Sequence, residues 1–159
     1  AIERVQKRTD ALLDCGGTHR PEWFHRKLGD ILYEGCGVAR DEAGLLDALT
    51  KARELREEFW RDVKVVGTGN RLNQELEKAG RVADFIELGE VMILDALDRR
   101  ESAGAHFRNE YATEAGEAKR NDGDWCAVSA WETRPDGTKV RHSEPLSFSL
   151  IDLQVRDYR

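Results

Sequence analysis

The stretch from Asn70 to His106, NRLNQELEKAGRVADFIELGEVMILDALDRRESAGAH, decides the fold. Leu72, Leu76, Ala79, Ala83, Ile86, Ile93 and Leu97 recur at steps of four and three, with Glu90 the only polar interruption. That spacing lays them along one stripe of an α-helix. A second stripe of Phe85, Gly89, Met92 and Ala96 begins halfway along, and Leu88, Val91 and Leu94 fill the arc between. The first half is thus amphipathic, while the second half is apolar over most of its girth and must meet neighbours on more than one side. The pattern predicts one uninterrupted helix from 70 to 106, roughly 55 Å long at ~1.5 Å per residue. Asn70 is placed to cap its start, after Gly67 and Gly69. Arg99 and Arg100 suit the negative end of the dipole, and Gly104 can take the left-handed turn that ends it. Glu90 interrupts the main stripe and needs an Arg or a hydroxyl, because burying it unpaired is costly.

Working back towards the start, Ile2 to Leu13 carries Ile2, Val5, Leu12 and Leu13 among charges and reads as a short helix stopped by Cys15-Gly16-Gly17. Thr18 or Arg20 starts the next helix, with Pro21 tolerated in its first turn. Phe24, Leu28, Ile31 and Leu32 share one face of it, and Gly35 and Gly37 end it. Asp41 is a good N-cap for a third helix, with Glu42 in its first turn. Leu45, Ala48, Ala52, Leu55, Phe59 and Val63 then follow steps of three and four. Three substantial helices joined by short connections pack most simply as a mainly α, up-down-up, spectrin-repeat-like bundle with crossing angles near ~20°. Gly29 and Gly89 fall inside helices, where glycine costs about 1 kcal/mol relative to alanine. Both read as points of close helix approach.

After Tyr111 the composition changes. Ala112 to Asp124 is polar and reads as a loop. Trp125 to Glu132 alternates as a strand, with Trp125 and Trp131 on one face. Arg134-Pro135-Asp136-Gly137 is a turn, since Pro fixes φ and Gly supplies φ > 0. Thr138 to Ser143 returns as the partner strand, and Leu146, Phe148 and Leu150 alternate again. A lone hairpin is marginal in water. The sequence therefore suggests a bundle over 1–111 and a loop plus C-terminal β-hairpin arm over 112–159, packed on the bundle.

With 159 residues, 35% of them charged, and a formal net charge of −6, the chain is long enough for one domain with a core. It offers no basic face for nucleic acid. No apolar run approaches the ~20 residues of a membrane span, so direct membrane insertion is not expected. Ala1 to Arg8 is charged and lacks the apolar core of a signal peptide. The three cysteines, Cys15, Cys36 and Cys126, are far apart and odd in number, which fits reduced structural thiols in a cytoplasmic setting.

Candidate chemistry is sparse. Val63 to Leu72 superficially resembles a strand running into a dinucleotide loop, but Leu72 stands where a third glycine belongs, so a plain helix–helix connection is the better reading. His19 and His25, near Cys15 and Cys36, lack the spacing of a metal site. His142 reads as solvated. Glu87, Glu90, Asp95 and Asp98 form a charged face, which is ordinarily the wet side of a helix. No Ser/His/Asp or Cys/His nucleophile arrangement can be assembled. His106 can cap the last carbonyls of the long helix or reach across an interface.

The segment Glu101-Ser102-Ala103-Gly104-Ala105-His106-Phe107-Arg108 resembles the E-S-R-G-A-H-x-R signature of the flavoprotein subunits of succinate dehydrogenases and fumarate reductases. The resemblance extends along the whole chain. Leu28 to Leu32 and the bundle spacing look like that subunit's C-terminal helical domain, and Arg120-Asn121-Asp122-Gly123-Asp124-Trp125 is similar to its R-D-D-x-x-W segment. Ala130-Trp131-Glu132, Glu144 to Phe148 and Arg156-Asp157-Tyr158 look like the branch with a long C-terminal arm. Ala103 departs from the usual Arg, and Asn121 from an Asp. L-aspartate oxidases share the architecture and are the nearest competitor within this resemblance. From a different class, a free-standing helical adaptor is the alternative.

The resemblance implies a larger whole. An N-terminal part binds FAD, and electrons pass through an iron–sulfur subunit to quinone at the inner face of the membrane, where the complex sits peripherally on the cytoplasmic side. The flavin-binding glycines and substrate-binding residues of such proteins have no counterpart here, so no catalytic, cofactor-binding or metal residue is assigned. Glu101, Ser102, Gly104, His106 and Arg108 are expected at the junction with the flavin-binding domain of the same polypeptide and the iron–sulfur subunit.

Overall fold

A computed structural model describes residues 1–154. The closing Arg156-Asp157-Tyr158 segment lies outside the described residues. The chain is mainly α, with a C-terminal β-hairpin, and it divides into two compact units. One comprises Ala1–Gly37 with Glu42–Leu97; the other comprises Val38–Asp41 with the residues from Asp98 onward. The sequence suggests a boundary at 111 instead.

The first unit is built from α1 (Ile2–Asp14), α2 (Pro21–Gly35), α3 (Glu42–Asp62) and α4 (Gln74–Asp98), the last of these up to Leu97. Pro21 opens α2 behind Arg20, and Gly35 closes it. α2 and α3 run antiparallel: Gly35 at the end of α2 lies so close to Gly44 and Ala48 near the start of α3 that a Cβ there would fall 2.5 Å from that of Ala48. α3 and α4 are antiparallel too, with Arg53 meeting Glu90 while Arg56 meets both Glu90 and Glu87. α2 and α4 are parallel, as Glu22 pairs with Lys78 near their starts. This is the expected up-down-up arrangement.

The core follows the stripes. Phe24, Leu28, Leu55, Phe59, Val63, Ala79, Ala83 and Ile86 pack in one cluster, and Leu45, Ala48, Leu49, Ala52, Ile93 and Ala96 in a second. α1 adds Leu12 to the first cluster and is tied to α4 by Arg8–Asp84 at 2.6 Å. Gly89 is a close approach, as expected: a Cβ there would stand 3.1 Å from Leu28 Cδ1. Gly29 is not, because a Cβ there would meet nothing within 4 Å.

The long helix is shorter than its pattern predicts. It starts at Gln74, because Asn73, not Asn70, is the cap: its Oδ1 accepts the N–H groups of Glu75 and Leu76, both at 3.1 Å. Leu72, placed in the stripe by periodicity, is 96% exposed. The helix stops at Asp98, so residues 99–106 do not extend the rod. Gly104 has φ +59° but serves a turn beyond the helix.

In the second unit, β1 (Ala39–Arg40) pairs in parallel with β2 (Phe107–Arg108), a link with no local sequence signal. A 3₁₀ turn (Asn109–Tyr111) and a one-turn helix α5 (Asp122–Trp125) follow. Trp125 therefore belongs to α5 and not to the strand. The hairpin is β3 (Ala127–Thr133) with β4 (Lys139–Pro145), antiparallel, with Trp131 opposite Arg141. Gly137 takes φ +86° in the turn, as the Pro-Asp-Gly reading requires. Leu146 to Asp152 forms no third strand, although the Leu146 N–H bonds to the Cys126 carbonyl at 2.9 Å.

Candidate functional site

Residues 99–108, in the second unit, fold into a compact turn held from inside. Glu101 is buried, and its Oε1 accepts both Nε–H and Nη2–H of Arg99, at 2.9 and 2.6 Å. Its Oε2 accepts the Asn121 backbone N–H at 2.8 Å. A buried carboxylate satisfied on both oxygens fixes the chain direction after the helix. Ser102 is fully buried: its Oγ accepts the Arg108 N–H at 2.8 Å and donates to the Arg108 carbonyl at 3.1 Å. Its own N–H goes to the Lys119 carbonyl at 2.9 Å. Ala103 and His106 exchange backbone bonds of 2.8 and 3.1 Å around Gly104 and Ala105. Only glycine takes the φ of Gly104 without strain.

His106 closes the turn. Nε2 lies 3.1 Å from the Arg99 carbonyl, so it carries the proton, and Nδ1 can then accept from Arg40 Nη1 at 3.4 Å. Burial pushes its pKa below the ordinary imidazole value; the bond to the Arg99 carbonyl opposes that, and the charges of Arg40, Arg99 and Arg108 add to it. His106 thus satisfies a carbonyl at the helix end. The buried Arg108 donates Nε–H to Glu110 at 3.1 Å and lies over the Tyr111 ring.

The structure brings all five expected junction residues into this turn but gives them unequal access. The side chains of Glu101, Ser102 and Arg108 are enclosed, while Gly104 and Ala105 form the exposed tip and His106 is half-buried beside it. Arg40 and the backbones of Lys119 and Asn121 were not legible as parts of the site. The only hint was that Asn121 falls in the Arg120–Trp125 segment.

The other candidates go elsewhere. His19, in the first unit, hydrogen-bonds through Nδ1 to Asp62 Oδ2 and stacks on Trp23 with ring centroids 4.0 Å apart. Thr18 donates to the same carboxylate from its N–H at 2.8 Å and from its hydroxyl. The bond from His19, then those from Thr18, hold the Asp62 pKa down to about 2. His25 stacks on Phe85, and His142 faces Glu132 at 2.9 Å on the exposed hairpin. Cys15 donates weakly to the Trp60 carbonyl at 3.5 Å. Among the described residues, no three His, Cys, Asp or Glu side chains are placed to hold a metal ion. The Val65–Asn73 connection is no phosphate cradle: the Asn73 amide lies over Gly67 and donates to the Val66 and Thr68 carbonyls at 2.9 and 3.2 Å.

The model of the family described as fumarate reductase flavoprotein C-term matches residues 25–158. The chain belongs to this family. It is 25% identical over 158 residues to the succinate dehydrogenase flavoprotein subunit of Bacillus subtilis, covering 99% of the chain and 26% of the relative. It is 30% identical over 104 residues to the fumarate reductase flavoprotein subunit of Escherichia coli, covering 65% and 17%. Its fold is that of part of the E. coli quinol fumarate reductase, with TM-score 0.81 at 24% identity over 95% of this chain and 25% of that one. The same fold recurs in adenylylsulfate reductase of Archaeoglobus fulgidus, with TM-score 0.70 at 17% identity, covering 97% and 25%. The chain thus spans about a quarter of the length of the relatives it matches end to end.

Proposed function

We propose that this chain works as the C-terminal helical part of a flavoprotein subunit that interconverts succinate and fumarate. The observation that carries the reading is the family match over residues 25–158. In this reading a flavin-binding part of the same polypeptide holds FAD, which supplies the hydride chemistry. Electrons leave through an iron–sulfur subunit towards quinone. The glycine loop at residues 67–69 does not fit the flavin, since the Asn73 amide fills it. Residues of this chain carry no catalytic role; they brace the flavin-binding part and dock the iron–sulfur subunit.

The turn at 101–108 is the docking element, with Gly104, Ala105 and the edge of His106 making contact and Glu101, Ser102 and Arg108 holding its shape. In this reading the complex sits peripherally on the inner, cytoplasmic face of the membrane. No helix of the described residues is long and apolar enough to cross a membrane.

The gene upstream of Ala1 tests the reading first: an open frame with a dinucleotide fingerprint supports it, and a stop codon followed by an initiator Met overturns it. The 159-residue chain alone should show no flavin absorbance and no succinate oxidation; stoichiometric bound FAD would refute the assignment. In the full complex, Ala105→Trp should reduce co-purification of the iron–sulfur subunit while leaving FAD content unchanged. Undiminished co-purification would remove the turn from the interface.

A further inference from the structure

We propose that the apolar groove between α2 and α4 is the seat of the flavin-binding part of the same polypeptide; this rests on the function proposed above. The groove encloses about 240 Å³ and is walled by His25, Gly29 and Leu32 of α2 and Phe85, Leu88 and Met92 of α4. Three of these are large apolar side chains held in the open: Phe85 is 42%, Leu88 54% and Met92 47% exposed. Their stripe is regular, so nothing local explains why α4 is apolar on a side that neither α2 nor α3 covers. An apolar surface of that kind on a folded unit marks an interface.

Gly29 points the same way. A mid-helix glycine costs about 1 kcal/mol relative to alanine. Gly89 opposite has a reason inside the bundle, its contact with Leu28, but Gly29 has none, since a Cβ there meets nothing within 4 Å. A bare backbone at the lip of a groove allows a visitor to approach more closely than any side chain would. One turn further along α2, Tyr33 is also exposed and extends the same face.

The occupant follows from the chemistry and from the size of the relatives. The groove walls offer an incoming group no polar partner except His25, whose ring is already stacked on Phe85. Surfaces this apolar belong to permanent interfaces, while exchangeable contacts between subunits are more polar. The chain spans only a quarter of its relatives. In a polypeptide of that length the remaining part is tethered to this unit at high effective concentration. The occupant therefore brings one or two uncharged side chains of leucine or phenylalanine size from the flavin-binding part.

The test uses the full-length flavoprotein, isolated with its FAD absorbance intact. Leu88 is replaced by a photo-crosslinking phenylalanine analogue, and adducts are mapped by mass spectrometry after proteolysis. The expected adducts join residue 88 to peptides of the same polypeptide outside residues 1–159, at a yield independent of protein concentration. Gly29→Leu in the same protein should lower that yield severalfold with no loss of helical signal. Adducts to a second copy, to another subunit, or to no protein at all would overturn the inference. A gene that encodes no flavin-binding part would instead overturn the functional reading itself, so the two failures are distinguishable.

Discussion

Arg53 of α3 donates its Nε–H to Glu90 of α4 across 2.8 Å, and Arg56, one turn on, bonds the other oxygen of the same carboxylate. The partners are unequally placed. The Glu90 side chain is 5% exposed, whereas those of Arg53 and Arg56 are 49% and 31% exposed. Removing the carboxylate frees two cations that already reach water; removing the cations strands a buried anion. The double replacement Arg53→Ala/Arg56→Ala should therefore cost about 3–5 kcal/mol. Glu90→Gln, which keeps an acceptor, should cost about 1–2 kcal/mol. Urea denaturation of the two proteins checks the order, and equal losses would mean that the carboxylate is not effectively desolvated.

The two mid-helix glycines should respond with opposite signs. Gly29→Ala adds a methyl into open space and should stabilise by roughly 0.5–1 kcal/mol, a rise of about 1–4 °C in Tm for a chain of this size. Gly89→Val drives a branched side chain against Leu28 and Leu32 and should cost about 1–3 kcal/mol. Thermal melts of the two variants decide it. A Gly89→Val protein as stable as the parent would show that α2 and α4 can part freely.

Acid should loosen the entry to α2. Asp62 has a folded-state pKa of about 2, depressed by His19 and then by Thr18. A depressed carboxylate contributes stability that is present above its unfolded value near 4 and lost as pH falls towards its folded value. This contribution should thus fade between about pH 4 and about pH 2. Asp62→Asn should flatten that part of the stability–pH curve, measured by denaturant midpoints. Parallel curves for the two proteins would remove Asp62 from the acid response.

His106 titrates in a higher window. Its folded pKa is lowered by burial, so its contribution is present above the unfolded value of 6.5 and lost as pH falls through the folded value. The imidazole resonances of His106 should titrate with a midpoint below the ordinary imidazole value of 6.5. A midpoint at or above that value would mean that the ring is not packed in the turn.

The bundle was legible because its signals are local. Stripes at steps of three and four gave α2, α3 and α4, the polar break at Glu90 called for an Arg or a hydroxyl and meets two arginines, and Pro-Asp-Gly gave the hairpin turn. Asn70 misled because two asparagines compete for one cap. Asn73 wins by using its amide N–H groups to fold the preceding loop onto itself, which leaves Leu72 outside. The end of α4 was overrun because the forces that stop it come from far along the chain, from the carbonyl of Lys119 and the N–H of Asn121. For the same reason the motif at 101–108 was visible as a pattern while the inward aim of Glu101, Ser102 and Arg108 was not.

Gly17 lies against the last residue of α3 so tightly that a Cβ there would fall 2.0 Å from the Asp62 carbonyl, and the Gly17 N–H bonds to the Val63 carbonyl at 3.2 Å. Together with Leu12, Pro21 and Phe24, that contact lies ahead of residue 25, where the family match begins. The packed helical unit therefore begins ahead of the stretch that the family model matches. Trimming the polypeptide to the recognised stretch would uncap α3 and leave Phe59 and Val63 open to solvent.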